Sequence, residues 1–238
     1  MKDLLAVIEN RQSTRAPFDS QRAIPKEHLR QMLEAARWSP TAHNMQNYEV
    51  IVVEDRKLLE ALGAIRGSVS ESFIRENYQQ LSFSEDELKK KKVGILGTMF
   101  PPSWRTPGVT PRPGADEEAP SQTRLVGMSA ALVVVLYDPA RRAPASEGDF
   151  LGIMSLGCVM QNMWLMAHSL GIGFQILSAF SAENVESEAK RILGIPAHLK
   201  IAFTARLGYP HSPPAYLRVR RNREDFVHHD RYGNKDLG

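Results

Sequence analysis

Ala131-Leu132-Val133-Val134-Val135-Leu136-Tyr137 is an unbroken apolar run centred on three valines. It predicts a buried strand, since a strand with one wet face alternates apolar and polar residues. Downstream, Ile153, Leu156, Val159, Met160, Met163, Trp164 and Ala167 recur at helical spacing. They predict a long helix from an Asp149 cap to about Leu170, stopped by Gly171. That helix is apolar over most of its circumference, so a central position is expected. A short strand over Phe174 to Ser178 follows, then a helix from about Ala182 to Leu193 closed by Gly194 and Pro196. Lys200 to Leu207 is the last core strand.

Upstream, Tyr48 to Val53 reads as a strand with a β-branched core. Asp3 can cap a first helix through Leu4, Leu5, Val7 and Ile8. Pro25 opens a second, carrying Leu29, Met32, Leu33 and Ala36 until Trp38, Ser39 and Pro40 stop it. Arg56 to Arg66 is helical, and Ser84 with Glu87 forms a capping box for another helix. Residues 97–120 hold six prolines and little apolar periodicity. Such a loop, with Trp104, Arg105 and Arg112, is a substrate lid or a disordered surface excursion. No interior linker divides the chain, so residues 1–238 are expected to form one α+β domain. The tail from Pro210 is too polar to pack alone.

The 238 residues are 42% apolar and include a single cysteine, Cys158. An internal disulfide and a cysteine-based metal site are thereby excluded. The opening stretch carries acids and Asn, unlike a secretory signal, and no uninterrupted run of about 20 apolar residues suggests a membrane span. A soluble, cytosolic protein with no membrane partner is expected. The formal charge of +3 is a small surplus, and the arginines do not alternate with aromatic residues. Nucleic-acid binding is not expected.

The usual catalytic parts are missing. Neither glycine-rich phosphate loop follows a strand, and there is no G-x-S-x-G elbow. Cys158 sits mid-helix as a small hydrophobe, and the seven histidines lack metal-binding spacing, so no metal is expected. Enzymatic chemistry here requires a cofactor. Three segments could hold one. Arg11-Gln12-Ser13-Thr14-Arg15 is either a basic turn or a phosphate site with two arginines flanking a serine. Ser39 to Tyr48 is either a capping cluster or a set of amides and hydroxyls for a heterocycle. Gly171 to Ser178 is either a plain helix stop or a place where backbone approaches a ligand closely.

In order along the chain, Arg11 to Arg15, Pro40 to Tyr48, Leu170 to Gly173, Gly208-Tyr209-Pro210, and Arg220-Arg221 through Val227 to Gly233 resemble the motifs of the nitroreductase family. The resemblance implies a central, mostly antiparallel sheet flanked by helices. It also implies a homodimer with FMN at the subunit interface, the 210–238 tail of each subunit wrapping the other. Carried over by position, Arg11, Gln12, Ser13 and Arg15 would contact the FMN phosphate and the pyrimidine side of the ring. Pro40, Thr41 and Asn44 would reach it from the partner. Ile176, Leu177 and Ser178 would line the ring near N5, and Arg220 would complete the phosphate site. Thr41 stands where the family often has Ser, and Asn47-Tyr48 replaces Pro-Trp.

The implied activity is ping-pong reduction of a nitroaromatic, quinone or related small-molecule acceptor by NAD(P)H, with hydride passing through flavin N5. No side-chain base is then required, and Arg15 would stabilise negative charge near N1. Other implied readings are dehalogenation, flavin fragmentation, or flavin binding without turnover.

Overall fold

The computed structural model describes residues 3–67, 85–91, 122–144, 150–212 and 219–235. They fall into two units, one from 1–68 and 120–214, the other from 69–119 and 215–238. The first contains, in order, α1 (Leu4–Asn10), α2 (Lys26–Arg37), β1 (Glu49–Val53) and α3 (Arg56–Gly63). The second contributes α4 (Glu85–Lys91). The first unit resumes with β2 (Ala131–Tyr137), α5 (Phe150–Ser169), β3 (Gly173–Ile176), α6 (Glu183–Leu193) and β4 (Lys200–Gly208). The second ends in α7 (Arg223–Phe226).

The four strands form one antiparallel sheet in the order β1-β2-β4-β3. Successive residues of β2 point to opposite faces. Ala131, Val133 and Val135 join Met32, Val159, Met163, Phe174 and Leu207 in the cluster beneath α2 and α5. Leu132, Val134 and Leu136 join Leu59, Leu62, Phe180 and Val185 beneath α3 and α6. The continuous apolar run follows from having helices on both faces. A bulge between Val135 and Leu136 interrupts the β2–β4 register.

Local signals end the elements where side chains dictate. Asp3 and Asp55 accept from the backbone N–H groups of Leu5 and Leu58, capping α1 and α3. Gly171 and Gly194, at φ 74° and 66°, take the left-handed turns after α5 and α6. Helix α3 stops at Gly63, short of Arg66, where a Cβ would lie 2.9 Å from the Gly127 nitrogen. Strand β3 ends at Ile176, because Ser178 to Ser181 coil into a 3-10 turn. The expected caps Ser84 and Asp149, and the 97–120 loop, lie outside the described residues.

The central placement of the long helix is corrected. Only Val159, Met163 and Ala167 of α5 are buried. The sheet face beneath it is shared with α2, so α5 presents one stripe to the core and its outer side to solvent. Phe150 is 67% and Ile153 60% exposed. By length and composition α5 could cross a membrane. However, Ser155, Gln161 and Asn162 interrupt it, and its buried stripe packs on the sheet.

Strand β3 lies at the sheet's edge, where it is covered by the chain between α1 and α2. Thr14 N–H donates to Phe174 O (2.9 Å), Asp19 N–H to Tyr209 O (2.8 Å), and Phe18 bridges Pro210. Gly173 and Gly208 face each other across β3 and β4. The Phe18 ring lies on that pair: a Cβ on Gly208 would meet Phe18 Cβ and Cγ at 2.8 Å, and one on Gly173 would meet the ring at 2.6 Å. The close approach anticipated at Gly173 is thus made by a core aromatic ring.

In the second unit, Asn222 and Asp225 form a reciprocal capping box at α7. His228 stacks on Tyr232 and accepts the Gly233 N–H at Nδ1 (2.7 Å).

Gly208→Ala should destabilise the protein by about 1–3 kcal/mol, as Phe18 is forced off the sheet. Urea denaturation measures this, and the penalty should shrink in a Phe18→Ala background.

Candidate functional site

The segment after α1 rounds the β3 edge from one sheet face to the other. On the α5 side, the Arg11 guanidinium stands 4.3 Å from the Trp164 ring centroid, a cation–π contact. Trp164 Nε1–H donates to Gln12 O (3.2 Å), and its ring stacks on Phe174 at 5.3 Å. At the edge, Thr14 is buried and bonded to β3. On the far side, the buried Arg206 of β4 donates from Nη2 to Ala16 O (2.7 Å) and from Nε to Gln175 Oε1 (2.7 Å). Arg11, Gln12, Ser13 and Arg15 are all half-buried. Two guanidinium groups and a hydroxyl within five residues make a donor set suited to a phosphate monoester.

Ile176, Leu177 and Ser178 continue from the same edge strand. Ile176 is half-buried on the α5 side, Leu177 is buried on the other, and Ser178 is exposed. Leu177 N–H donates to Thr204 O (3.0 Å), and Thr204 Oγ1 donates back to Leu177 O (3.1 Å). Two of the three sequence-selected segments therefore share one sheet edge.

The third lies elsewhere on the same helix. Pro40 is exposed, Thr41 half-buried and Asn44 exposed, in the connection from α2 to β1. Ala42 N–H donates to Ser155 Oγ (2.9 Å), and Asn162 Nδ2 donates to Ser39 Oγ (2.9 Å). His43, Asn44 and Gln46 have φ of 49°, 51° and 47°. Such conformations are costly away from glycine and gather at functional sites. Gln46 N–H donates to Thr41 Oγ1 (3.2 Å), bracing the strained turn. Beside it is a small open cleft, with a cavity volume of about 20 Å³, bordered by Thr41, Met45, Tyr48, Tyr137, Arg141 and Leu156. Nine residues separate Ser155 from Trp164, about 14 Å along α5. The turn thus runs along α5, from Asn162 at Ser39 to Ser155 at Ala42, while Trp164 holds Gln12.

Just before that turn, Glu34 accepts from Arg37 Nε (2.9 Å), Arg37 Nη2 (2.5 Å) and Trp38 Nε1 (2.7 Å). These donors, Arg37 foremost, lower the Glu34 pKa from 4.5 to about 2. They also hold Trp38, which is 72% exposed, beside Pro40.

Arg220 belongs to the second unit, is exposed, and donates from Nη1 to Val219 O (2.7 Å). Cys158 is half-buried with a free thiol. Among the described residues no group of three or more His, Cys, Asp or Glu could hold a metal ion.

Sequence reasoning missed Trp164 as a support for Arg11 and Gln12, having read it only as core. It also missed Phe18, Gln175 and Arg206. The available signal was an arginine inside the otherwise uncharged run Phe203 to Leu207.

Residues 8–209 match the Nitroreductase family. A protein of Archaeoglobus fulgidus, provisionally named NADH dehydrogenase/NAD(P)H nitroreductase, is 24% identical over 98% of this chain and all of its own length. Among solved structures, an FMN-dependent nitroreductase of Clostridium difficile superposes with TM-score 0.60 at 16% identity, covering 96% of this chain and 99% of its own. A nitroreductase of Bacteroides fragilis with bound FMN gives TM-score 0.55 at 19% identity, covering 95% and 98%. At these identities the structural likeness is one of fold.

Because its folded pKa lies below the unfolded value, Glu34 should keep its contacts above about pH 4.5 and lose them as pH falls towards about 2. The emission difference between wild type and Trp38→Phe should stay flat through the ordinary carboxylate range and change only near pH 2. A midpoint near 4.5 would contradict the arrangement.

Proposed function

The chain belongs to the nitroreductase family, and from that premise we propose that it is an FMN-dependent oxidoreductase. The observation that carries the reading is the Arg11–Arg15 segment, fixed on Trp164 and the β3 edge, with Ile176 ending the same strand and Leu177 and Ser178 directly after it. Its donor set fits a phosphate monoester, and names among the relatives carry both FMN and NAD(P)H.

In this reading Arg11, Ser13 and Arg15 bind the phosphate, and Gln12 addresses the pyrimidine side of the ring. Ile176 and Leu177 wall the ring and exclude water, with Ser178 beside them. Arg15 also supplies positive charge where electron density gathers, and low local dielectric strengthens its effect. FMN held there would supply two-electron redox chemistry between NAD(P)H and a nitroaromatic, quinone or related acceptor. The side chains bind, orient and shield, and none is needed as a proton-abstracting base.

The working form is a cytosolic homodimer with two shared sites. Its support is the outer face of α5, where Phe150, Ile153 and Met154 are exposed, with α1 packed against the helix and presenting Leu4 and Leu5. A second copy covers this apolar surface and brings Pro40, Thr41 and Asn44 to the partner's FMN.

Anaerobic mixing with NADH or NADPH tests the activity. The yellow flavin should bleach rapidly with at least one donor, and colour should return on adding menadione. Persistent colour with both donors would refute the reading.

Sedimentation tests the assembly. Wild type should run at twice the 26.7 kDa chain mass, while Ile153→Glu should run as a folded monomer depleted of FMN. Unchanged mass and flavin content in that variant would count against the shared site.

A further inference from the structure

Arg206 is 1% exposed, although it lies between apolar neighbours on an interior strand. A guanidinium cannot shed its charge, so its burial is tolerated only where acceptors are supplied. Gln175, its partner across the β3–β4 pair, receives the Nε–H. Further contacts are with the segment that rounds the sheet edge. Nη2 donates to Ala16 O at 2.7 Å and reaches Thr14 O at 3.5 Å, while the guanidinium carbon stands 4.1 Å from the Phe18 ring centroid. The segment has no helix or strand of its own between α1 and α2. Its course is set by what grips its main chain: Trp164 at Gln12, Phe174 O at Thr14, and Arg206 at Ala16.

We propose that Arg206 is a positioning residue for phosphate recognition, holding the main chain at Thr14 and Ala16 so that Ser13 and Arg15 meet the phosphate together with Arg11. This rests on the reading that Arg11, Ser13 and Arg15 bind the FMN phosphate. Charge-assisted hydrogen bonds from arginine are directional and frequently bidentate. A segment free to shift therefore loses phosphate affinity even with both arginines present. Arg206 itself has its guanidinium committed to Gln175 and the segment, and acts from the opposite side of the sheet edge.

Comparing FMN with riboflavin, which lacks the phosphate, isolates this role. Full-length apoprotein is titrated with each flavin by fluorescence quenching, for wild type, Arg206→Met and Arg206→Lys, with folding checked by circular dichroism. Wild type should prefer FMN. Arg206→Met should lose roughly tenfold or more of that preference, with riboflavin affinity unchanged. Arg206→Lys, which retains a donor for Ala16 O, should recover part of it. Arg206→Met with the wild-type ratio, or with equal losses for both flavins, would overturn the proposal. Should Arg206→Met not fold, a wild-type ratio in Arg206→Lys would overturn it equally. Wild type with no preference for FMN would instead overturn the cofactor reading beneath it.

Discussion

Strand β2 is buried on both faces, and the arrangement of the first unit follows from that. Its two apolar faces require two layers, supplied by α2 with α5 and by α3 with α6. With β2 and β4 central, the sheet has two edges, at β1 and β3. An open edge exposes hydrogen-bonding groups and invites pairing with other chains. At β3 the cover is a stretch without regular structure, running from Arg11 to Phe18. The candidate phosphate donors lie on this cover because an irregular segment can turn backbone and side chains outward while its alternate residues hold the edge.

The elements easiest to read in the sequence are those whose burial is local in cause. The run Ala131 to Tyr137 and the helical spacing of α5 and α6 carry their own periodicity, so their limits agree with expectation within a residue or two. Strand β3 was harder. Leu177 still pairs with Thr204, but Ser178 begins a turn, and nothing in GFQILS separates the two states. The central placement of α5 failed for a different reason. An apolar circumference reports that a helix is covered somewhere in its working state, but does not say that its own chain provides the cover.

Within the candidate site, the residue types were legible and their supports were not. Arg11 to Arg15 stands out by charge pattern, and Gly171 to Ser178 by its glycines. The contacts that fix them join positions far apart in the chain: Gln12 with Trp164, Phe18 with Gly173 and Gly208, Ala16 with Arg206. No local rule predicts such pairings, since each depends on strand order and on which face a residue occupies. Gly173 illustrates the point. Its lack of a side chain suggested ligand approach, yet the space is occupied by Phe18. The same edge contacts serve both fold and candidate site, so pre-organisation of the candidate phosphate donors is obtained from packing that the sheet needs anyway.

Helix α5 raises a geometric question that the proposed dimer would answer. It holds Ala42 through Ser155 and the Gln12 main chain through Trp164, about 14 Å apart along one axis. A two-fold axis pairs residue i of one copy with residue j of the other, and j with i. If that axis passes near the middle of α5, around Val159 and Met160, antiparallel packing sets Ser155 of each copy opposite Trp164 of the other. One symmetric contact would then complete two sites at once. The exposed apolar residues Ile153 and Met154 lie on the half of α5 nearer Ser155. Burying them would couple association to cofactor binding, because the face that seals the dimer would also carry half of each flavin's contacts.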